Sequence, residues 1–234
     1  MEDMERYGDY NEVDESPSKN PVTTVLKVVL TAVCFLVIGF LIFRIIIFNY
    51  YPREIKNLYF SDALTAYYSS TGGDIEVLTQ KLRAPYDDED AGNFFCDNLL
   101  VVTEADHLQI SLRYNDAIHA TFLEKYGVDI SESGFDAFTF RLVRNPEIEG
   151  GEPVVLAENP ELITDSLIMY RYAKLAFDGV EFGLDEGENK AEWIRLEIEL
   201  VGTEKPTVFM IPVYENHSDY SSFDEYKLSA KERP

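Results

Sequence analysis

Carboxylates are the residues of this chain best equipped for chemistry. Asp87-Asp88-Glu89-Asp90, followed by Gly92 and Asn93, gathers oxygen donors into one short stretch. A calcium ion takes about six to eight oxygen ligands, so Asp87, Asp88 and Asp90 are the candidates for holding one. Their spacing departs from the EF-hand pattern, which needs glycine at its sixth position and a bidentate glutamate at its twelfth. Asp185-Glu186-Gly187-Glu188 forms a similar acidic stretch. Solvated charge explains both stretches without a metal, so no metal site and no cofactor is assigned.

Other chemistries lack their signatures. The chain contains no G-x-S-x-G, no H-E-x-x-H, no C-x-x-C and no Walker lysine. Ser16-Pro17-Ser18-Lys19 spells S-x-x-K, but in a proline-containing polar tail with no pocket to build on. The three histidines, His107, His119 and His217, fall in an expected turn, an expected helix and the C-terminal tail. None is placed by the sequence beside a nucleophile. No catalytic residue is assigned, and the chain reads as a non-enzyme. The alternative is a carboxylate-dependent hydrolase of cell-wall polymers. It would need two acids facing each other about 5–10 Å apart, a pair the sequence does not identify.

Aromatic residues offer a different function. With 15 Tyr, 15 Phe and one Trp, the chain could line a sugar or peptide groove. Tyr67-Tyr68, Tyr170, Tyr172 and Trp193 are the candidates, with Tyr170, Tyr172 and Trp193 singled out as ligand-binding. Core packing and strand pairing are the plainer explanation for most of them.

The elements that must position these groups begin with Val22 to Phe48. Its uncharged heart, Val28 to Phe43, lies between Lys27 and Arg44. A bilayer core about 30 Å thick takes roughly 20 mainly apolar residues in helical form, and flanking Lys and Arg can extend to the headgroups. The acidic front end and the missing small-residue cleavage site argue against a cleaved signal peptide. The expectation is a single-pass anchor contacting the lipid bilayer through Val22 to Phe48. Basic residues balance on the two sides, Arg6, Lys19 and Lys27 against Arg44, Arg53 and Lys56, so the positive-inside rule gives no orientation. A short tail, one span and a long domain favour a cytoplasmic N-terminus and an extracytoplasmic C-terminal domain in the cell membrane.

Of the net charge of −23, residues 1–20 carry −5 and the apolar stretch +2, which leaves −20 for residues 49–234. Such a surface repels phosphate backbones and excludes nucleic acid as a partner. Cys34 lies at bilayer depth and Cys96 beyond it, so they cannot pair. An exported domain without an internal disulfide suits a bacterial envelope protein stabilised by its core alone. Cys96 is expected to be a buried small hydrophobe.

Strict alternation then signals half-buried strands. Leu108, Ile110, Leu112 and Tyr114 oppose Gln109, Ser111 and Arg113. Phe138, Phe140 and Leu142 oppose Thr139 and Arg141. Ile194, Leu196, Ile198 and Leu200 oppose Arg195, Glu197 and Glu199. Further strands are expected at Leu58–Tyr68, Leu99–Thr103, Val154–Ala157 and Thr207–Tyr214. Asp178-Gly179 is expected to turn Leu167–Phe177 into Val180–Leu184 as a hairpin. One helix, capped by Asn115 or Asp116 and ended by Gly127, carries Ile118, Phe122 and Tyr126 on one face. Ile75–Leu82 fits a short helix or a strand equally.

The fold class is therefore mainly β: a transmembrane helix followed by one antiparallel β-sandwich, immunoglobulin-like or jelly-roll-like, with one inserted short helix. The divisions are an acidic tail at 1–20, the span at 21–49, the sandwich at 50–215 and a polar tail at 216–234. The reading is a membrane-anchored binding or accessory module for an envelope protein or glycan.

Overall fold

A computed structural model of the chain describes residues 21–80, 94–144, 152–183, 191–203 and 206–214. The chain forms two units, divided after Tyr50. In the first, Pro21–Asn49 is one helix, α1, long and apolar enough to cross a membrane.

The second unit is mainly β. Nine strands run through its described residues: β1 (Leu78–Gln80), β2 (Phe94–Val102), β3 (His107–Asn115), β4 (Phe138–Arg144), β5 (Val154–Glu158), β6 (Glu161–Leu167), β7 (Tyr170–Asp178), β8 (Ala191–Leu200) and β9 (Thr207–Tyr214). They form a five-stranded sheet, ordered β1-β2-β3-β7-β6, and a four-stranded sheet, ordered β5-β4-β8-β9. Every pairing is antiparallel. Short helices α2 (Arg53–Lys56) and α3 (Asp62–Ser70) precede the strands, and α4 (Ile118–Tyr126) links β3 to β4.

One core joins the sheets. Leu108, Ile110 and Leu112 of β3 lie in the same buried cluster as Phe138, Phe140 and Leu142 of β4 and Ile194, Leu196 and Ile198 of β8. These are the apolar faces that the alternation predicts. Phe94 touches Phe138 with ring centres 5.3 Å apart, and Tyr114 packs against Phe135 at 4.8 Å. These aromatics and α4, whose Phe122 lies 5.8 Å from Phe138, close one end of the core, called here the near end. The far end holds His107, Arg144 and Asp178, where Arg144 of β4 donates to the carbonyl of Glu181, just past the end of β7, at 2.7 Å. Cys96 is buried, as expected.

A second, smaller core lies on the other face of β2. Leu100 and Val102 pack there with Leu58, Leu64 and Val77. The run Leu99-Leu100-Val101-Val102 is thus apolar throughout because both of its faces are covered. Within the ambiguous stretch Ile75–Leu82, Leu78–Gln80 forms strand β1 and the described residues carry no helix.

Three expected strands take other forms. Leu58–Tyr68 becomes an extended stretch and then α3, because the Ser61 hydroxyl accepts the Leu64 amide at 3.2 Å and caps a helix there. Leu167–Phe177 is divided by a two-residue hairpin turn, Ile168-Met169, between β6 and β7, with Leu167 opposite Tyr170. Asp178-Gly179 starts no hairpin. Gly179 ends β7 at φ 69°, the Val180 amide donates to the Asp106 carbonyl at 2.8 Å, and residues 180–183 carry no strand. The helix after Asn115 forms and Gly127 closes it at φ 69°, but neither Asn115 nor Asp116 caps it: the cap position is Ala117, whose amide donates to the Asn115 side chain at 2.9 Å in the turn before the helix.

Candidate functional site

The polar face of β3 is where the structure departs furthest from a simple half-exposed strand. His107, Gln109, Ser111 and Arg113 point away from the shared core, yet all four are buried. Opposite them on β7 stand Asp178, Ala176, Lys174 and Tyr172, of which Lys174 and Tyr172 are wholly buried. The cover is the chain segment 51–61, immediately after α1. It runs antiparallel to β3, from Arg113 at the near end to His107 at the far end. Tyr51 lies at 4.9 Å from the Arg113 guanidinium, the Ile55 carbonyl accepts from the Ser111 hydroxyl at 2.7 Å, and Tyr59 meets Gln109.

Gln109 treats Tyr59 as a neighbouring strand would. Its Oε1 accepts the Tyr59 amide at 3.0 Å, and its Nε2 donates to the Tyr59 carbonyl. That double contact fixes the amide orientation, because the reverse would set two oxygens against each other. Nε2 of Gln109 therefore presents its second hydrogen to Nε2 of His107, 2.6 Å away. The His107 ring must accept there and so carries its proton on Nδ1, which donates to Asp178 Oδ1 at 2.5 Å. Ser61 donates to the same carboxylate oxygen at 3.0 Å. The hydrogen bond from His107 lowers the Asp178 pKa below its ordinary value, burial opposes this, and Ser61 assists it.

Serine, histidine and aspartate thus meet, but not in the order nucleophilic catalysis needs. A catalytic serine must give its proton to the imidazole, with the carboxylate behind the ring. Here the carboxylate stands between Ser61 and His107, and the remaining ring nitrogen is occupied by Gln109. The Ser61 oxygen is further engaged as the cap of α3. What this constellation does is hold segment 51–61 to the sheet. Buried polar groups with complete partners fix one arrangement, since each alternative leaves some of them unmade.

At the near end the fastening is aromatic. The Arg113 guanidinium lies over Tyr51, Phe95 and Tyr170, at 4.9, 5.2 and 5.5 Å from the ring centres, and Tyr51 meets Tyr172 edge-on at 5.2 Å. A desolvated cation on ring faces is held by their quadrupoles. Outside this contact, Tyr59 donates to Glu161, a bond that holds its phenol in the protonated form and lifts its pKa to about 12. Burial lifts Tyr114 to about 12 as well.

The residues singled out by sequence lie apart. Tyr170 and Tyr172 are buried in the near-end cluster, whereas Trp193 is half-exposed on β8 of the other sheet. Tyr67 and Tyr68 are on α3, where Tyr68 packs edge-on against Phe60 at 5.4 Å. Asp87, Asp88, Asp90, the acidic stretch at 185–188, the S-x-x-K tail and His217 lie outside the described residues. His107, expected in a turn, is the first residue of β3. His119, on α4 as expected, lies 3.7 Å from Asp116, which binds Arg171 at 2.9 Å. Among the described residues no three His, Cys, Asp or Glu side chains are grouped to hold a metal. A near-end cleft lined by Phe94, Phe122, Tyr126 and Phe138 has a volume of about 10 Å³, enough for one water.

On the outer face of the four-stranded sheet, Glu197 is buried. It receives Arg141 at 2.5 Å from the facing strand and Arg195 at 3.2 Å from its own. Sequence reasoning missed the fastening on β3, although the unalternating run Leu99–Val102 signals a cover on that sheet. No family model, curated protein or solved structure matches the chain.

Proposed function

We propose that this chain is a single-pass membrane protein that presents a β-sandwich, immunoglobulin-like or jelly-roll-like, outside the cell membrane, with its N-terminus in the cytoplasm. Two antiparallel sheets sharing one buried cluster support the sandwich. The absence of a disulfide within the exported domain supports a bacterial envelope setting. Its role is to bind an envelope protein or glycan without chemistry. The observation that carries this reading is the fastening of segment 51–61. The serine, histidine and aspartate that meet in the fold serve to fix segment 51–61 to the five-stranded sheet, giving a domain with a settled outer face. That construction suits a module whose task is to display a surface.

Cross-linking the full-length protein in intact cells, followed by mass spectrometry, tests the proposal. A reproducible partner that disappears when residues 51–234 are deleted supports it. No partner above background, together with no retention of the full-length protein by cell-wall glycan, would sink it.

A further inference from the structure

Segment 51–61 is fastened to the five-stranded sheet by two unlike devices. At the near end, Tyr51 lies against the Arg113 guanidinium at 4.9 Å and meets Tyr172 edge-on. Neither tyrosine nor arginine changes charge in mildly acidic solution. At the far end, the fastening passes through His107. Its Nδ1 donates to Asp178 at 2.5 Å, and its Nε2 accepts from Gln109 at 2.6 Å. Gln109 in turn holds both backbone groups of Tyr59. Histidine is the side chain that takes up a proton between about pH 8 and 5, so one fastening is built around a titratable ring and the other is not.

A proton on His107 Nε2 has no place in this arrangement. An imidazolium donates from both nitrogens, and the group it would face is the NH2 of Gln109, itself a donor. Turning the Gln109 amide over offers its oxygen to the ring. The same turn sets that oxygen against the Tyr59 carbonyl and the NH2 against the Tyr59 amide. His107 and Gln109 are both buried, so solvent does not replace the lost partners. The surrounding charge acts in the opposite sense. On β7, Asp178 binds the ring and Lys174 stands further along, opposite Ser111. Glu104 and Asp106 lie on the turn into β3, Asp62 opens α3, and Glu161 of β6 binds Tyr59. Carboxylates outnumber Lys174 and Arg113 among these groups, so the field draws a proton toward a ring whose hydrogen bonds leave it no acceptor.

We propose that the far end of segment 51–61 is an acid-released strap: uptake of one proton by His107 turns Gln109 away from Tyr59 and lifts Tyr59 and Ser61 from the sheet, while Tyr51 stays held at Arg113. The sign follows from linkage. The lifted form binds a proton that the closed form excludes, so its population rises as pH falls, by at most about tenfold per pH unit for one proton. Asp178 is not the trigger, because its carboxyl is held below its ordinary value of 3.8 and stays ionised through mild acid. Release opens the far-end polar face of β3, which the strap keeps closed at neutral pH, and takes from α3 the Ser61 oxygen that accepts the Leu64 amide.

Amide hydrogen exchange of the detergent-solubilised full chain, read residue by residue by NMR and corrected for intrinsic rates, tests this. From about pH 7.5 to about pH 5.5, protection at the Tyr59 amide should fall about tenfold or more. The Asn57 amide, bonded to the Arg53 carbonyl at 3.0 Å within the same segment, should change less than about threefold, because nothing that holds it titrates. Equal losses at both amides, or none at Tyr59, overturn the strap. His107→Gln keeps an acceptor for Gln109 and a donor for Asp178 without a titratable ring, so the pH dependence at Tyr59 should vanish. Its persistence in a folded variant overturns the role of His107. Ring nitrogen shifts of the wild-type protein decide the matter even if that variant fails to fold. At neutral pH they should show the proton on Nδ1, and in acid a protonated ring only where Tyr59 protection is lost. An Nε2-protonated ring at neutral pH, or a protonated ring beneath a fully protected Tyr59 amide, overturns the proposal.

Discussion

The two sheets have the same inner faces and opposite outer ones. On the four-stranded sheet, Thr139 and Trp193 look outward into the open, Glu199 is partly exposed, and Glu197 is held between two arginines. On the five-stranded sheet, the corresponding polar residues of β3 are buried under segment 51–61 and its neighbour α3. The same alternating pattern therefore means different things on the two sheets. A polar residue facing outward is solvated on one and is a fastening on the other. What decides is whether later packing covers the face, and here the cover comes from a part of the chain that is itself tied to the apolar helix.

That contrast can be broken by mutation. Gln109→Leu should have the largest effect, destabilising the domain by about 3 kcal/mol in denaturant unfolding of the detergent-solubilised full chain. It leaves both Tyr59 backbone groups and the acceptor nitrogen of His107 without partners at a buried site. The Tyr59 amide should lose its hydrogen-exchange protection in the same variant. A loss below about 1 kcal/mol would mean that the segment is fastened by its apolar contacts alone. Ser61→Ala should cost about 1–2 kcal/mol, since it removes the cap of α3 together with a bond to Asp178. A double-mutant cycle between Ser61 and Asp178 should show coupling, and strict additivity would disprove that link.

Acid titration sharpens the comparison further. Asp178 is held below its ordinary value of 3.8, so the unfolded chain binds more protons than the folded one in that region. Its contribution is complete above pH 3.8 and fades as falling pH carries the carboxyl through its lowered value. The stability difference between wild type and Asp178→Asn should thus be flat from neutral pH down to about 4 and shrink below it. A difference that instead persists at lower pH would show that the carboxylate charge is not what matters. The smallest effect belongs to the open sheet: Glu199→Gln should change stability by no more than about 0.5 kcal/mol.

Legibility followed the same divide. β8 was readable because Ile194, Leu196, Ile198 and Leu200 face one core and their neighbours face outward, so local periodicity carries the whole message. α4 was readable from Asn115 and Gly127, which act within a few residues of themselves. The fastening was not, because its meaning lies in distant partners: Gln109 and Tyr59 are 50 residues apart, and His107 and Asp178 are 71 apart. No local pattern distinguishes a glutamine that faces water from one that pairs with a backbone half a domain away. The β6–β7 turn was missed for a different reason. Ile168-Met169 contains none of the residues that favour positive φ, so the turn runs against its own local chemistry. Tyr170 and Tyr172 were singled out for their ring area, and that area is used against Tyr51 and Arg113 within the fold.

The order in which the chain is made gives the fastening a place in time. Segment 51–61 follows the apolar helix directly, yet Ser61 waits for Asp178, 117 residues downstream. Domains are built N-terminal end first as synthesis proceeds, and contacts of such long separation form slowly. The first part of the domain to appear is therefore among the last to be secured. Until β7 has been made and placed, segment 51–61 has only part of its partners, and the closing of the strip on β3 completes them.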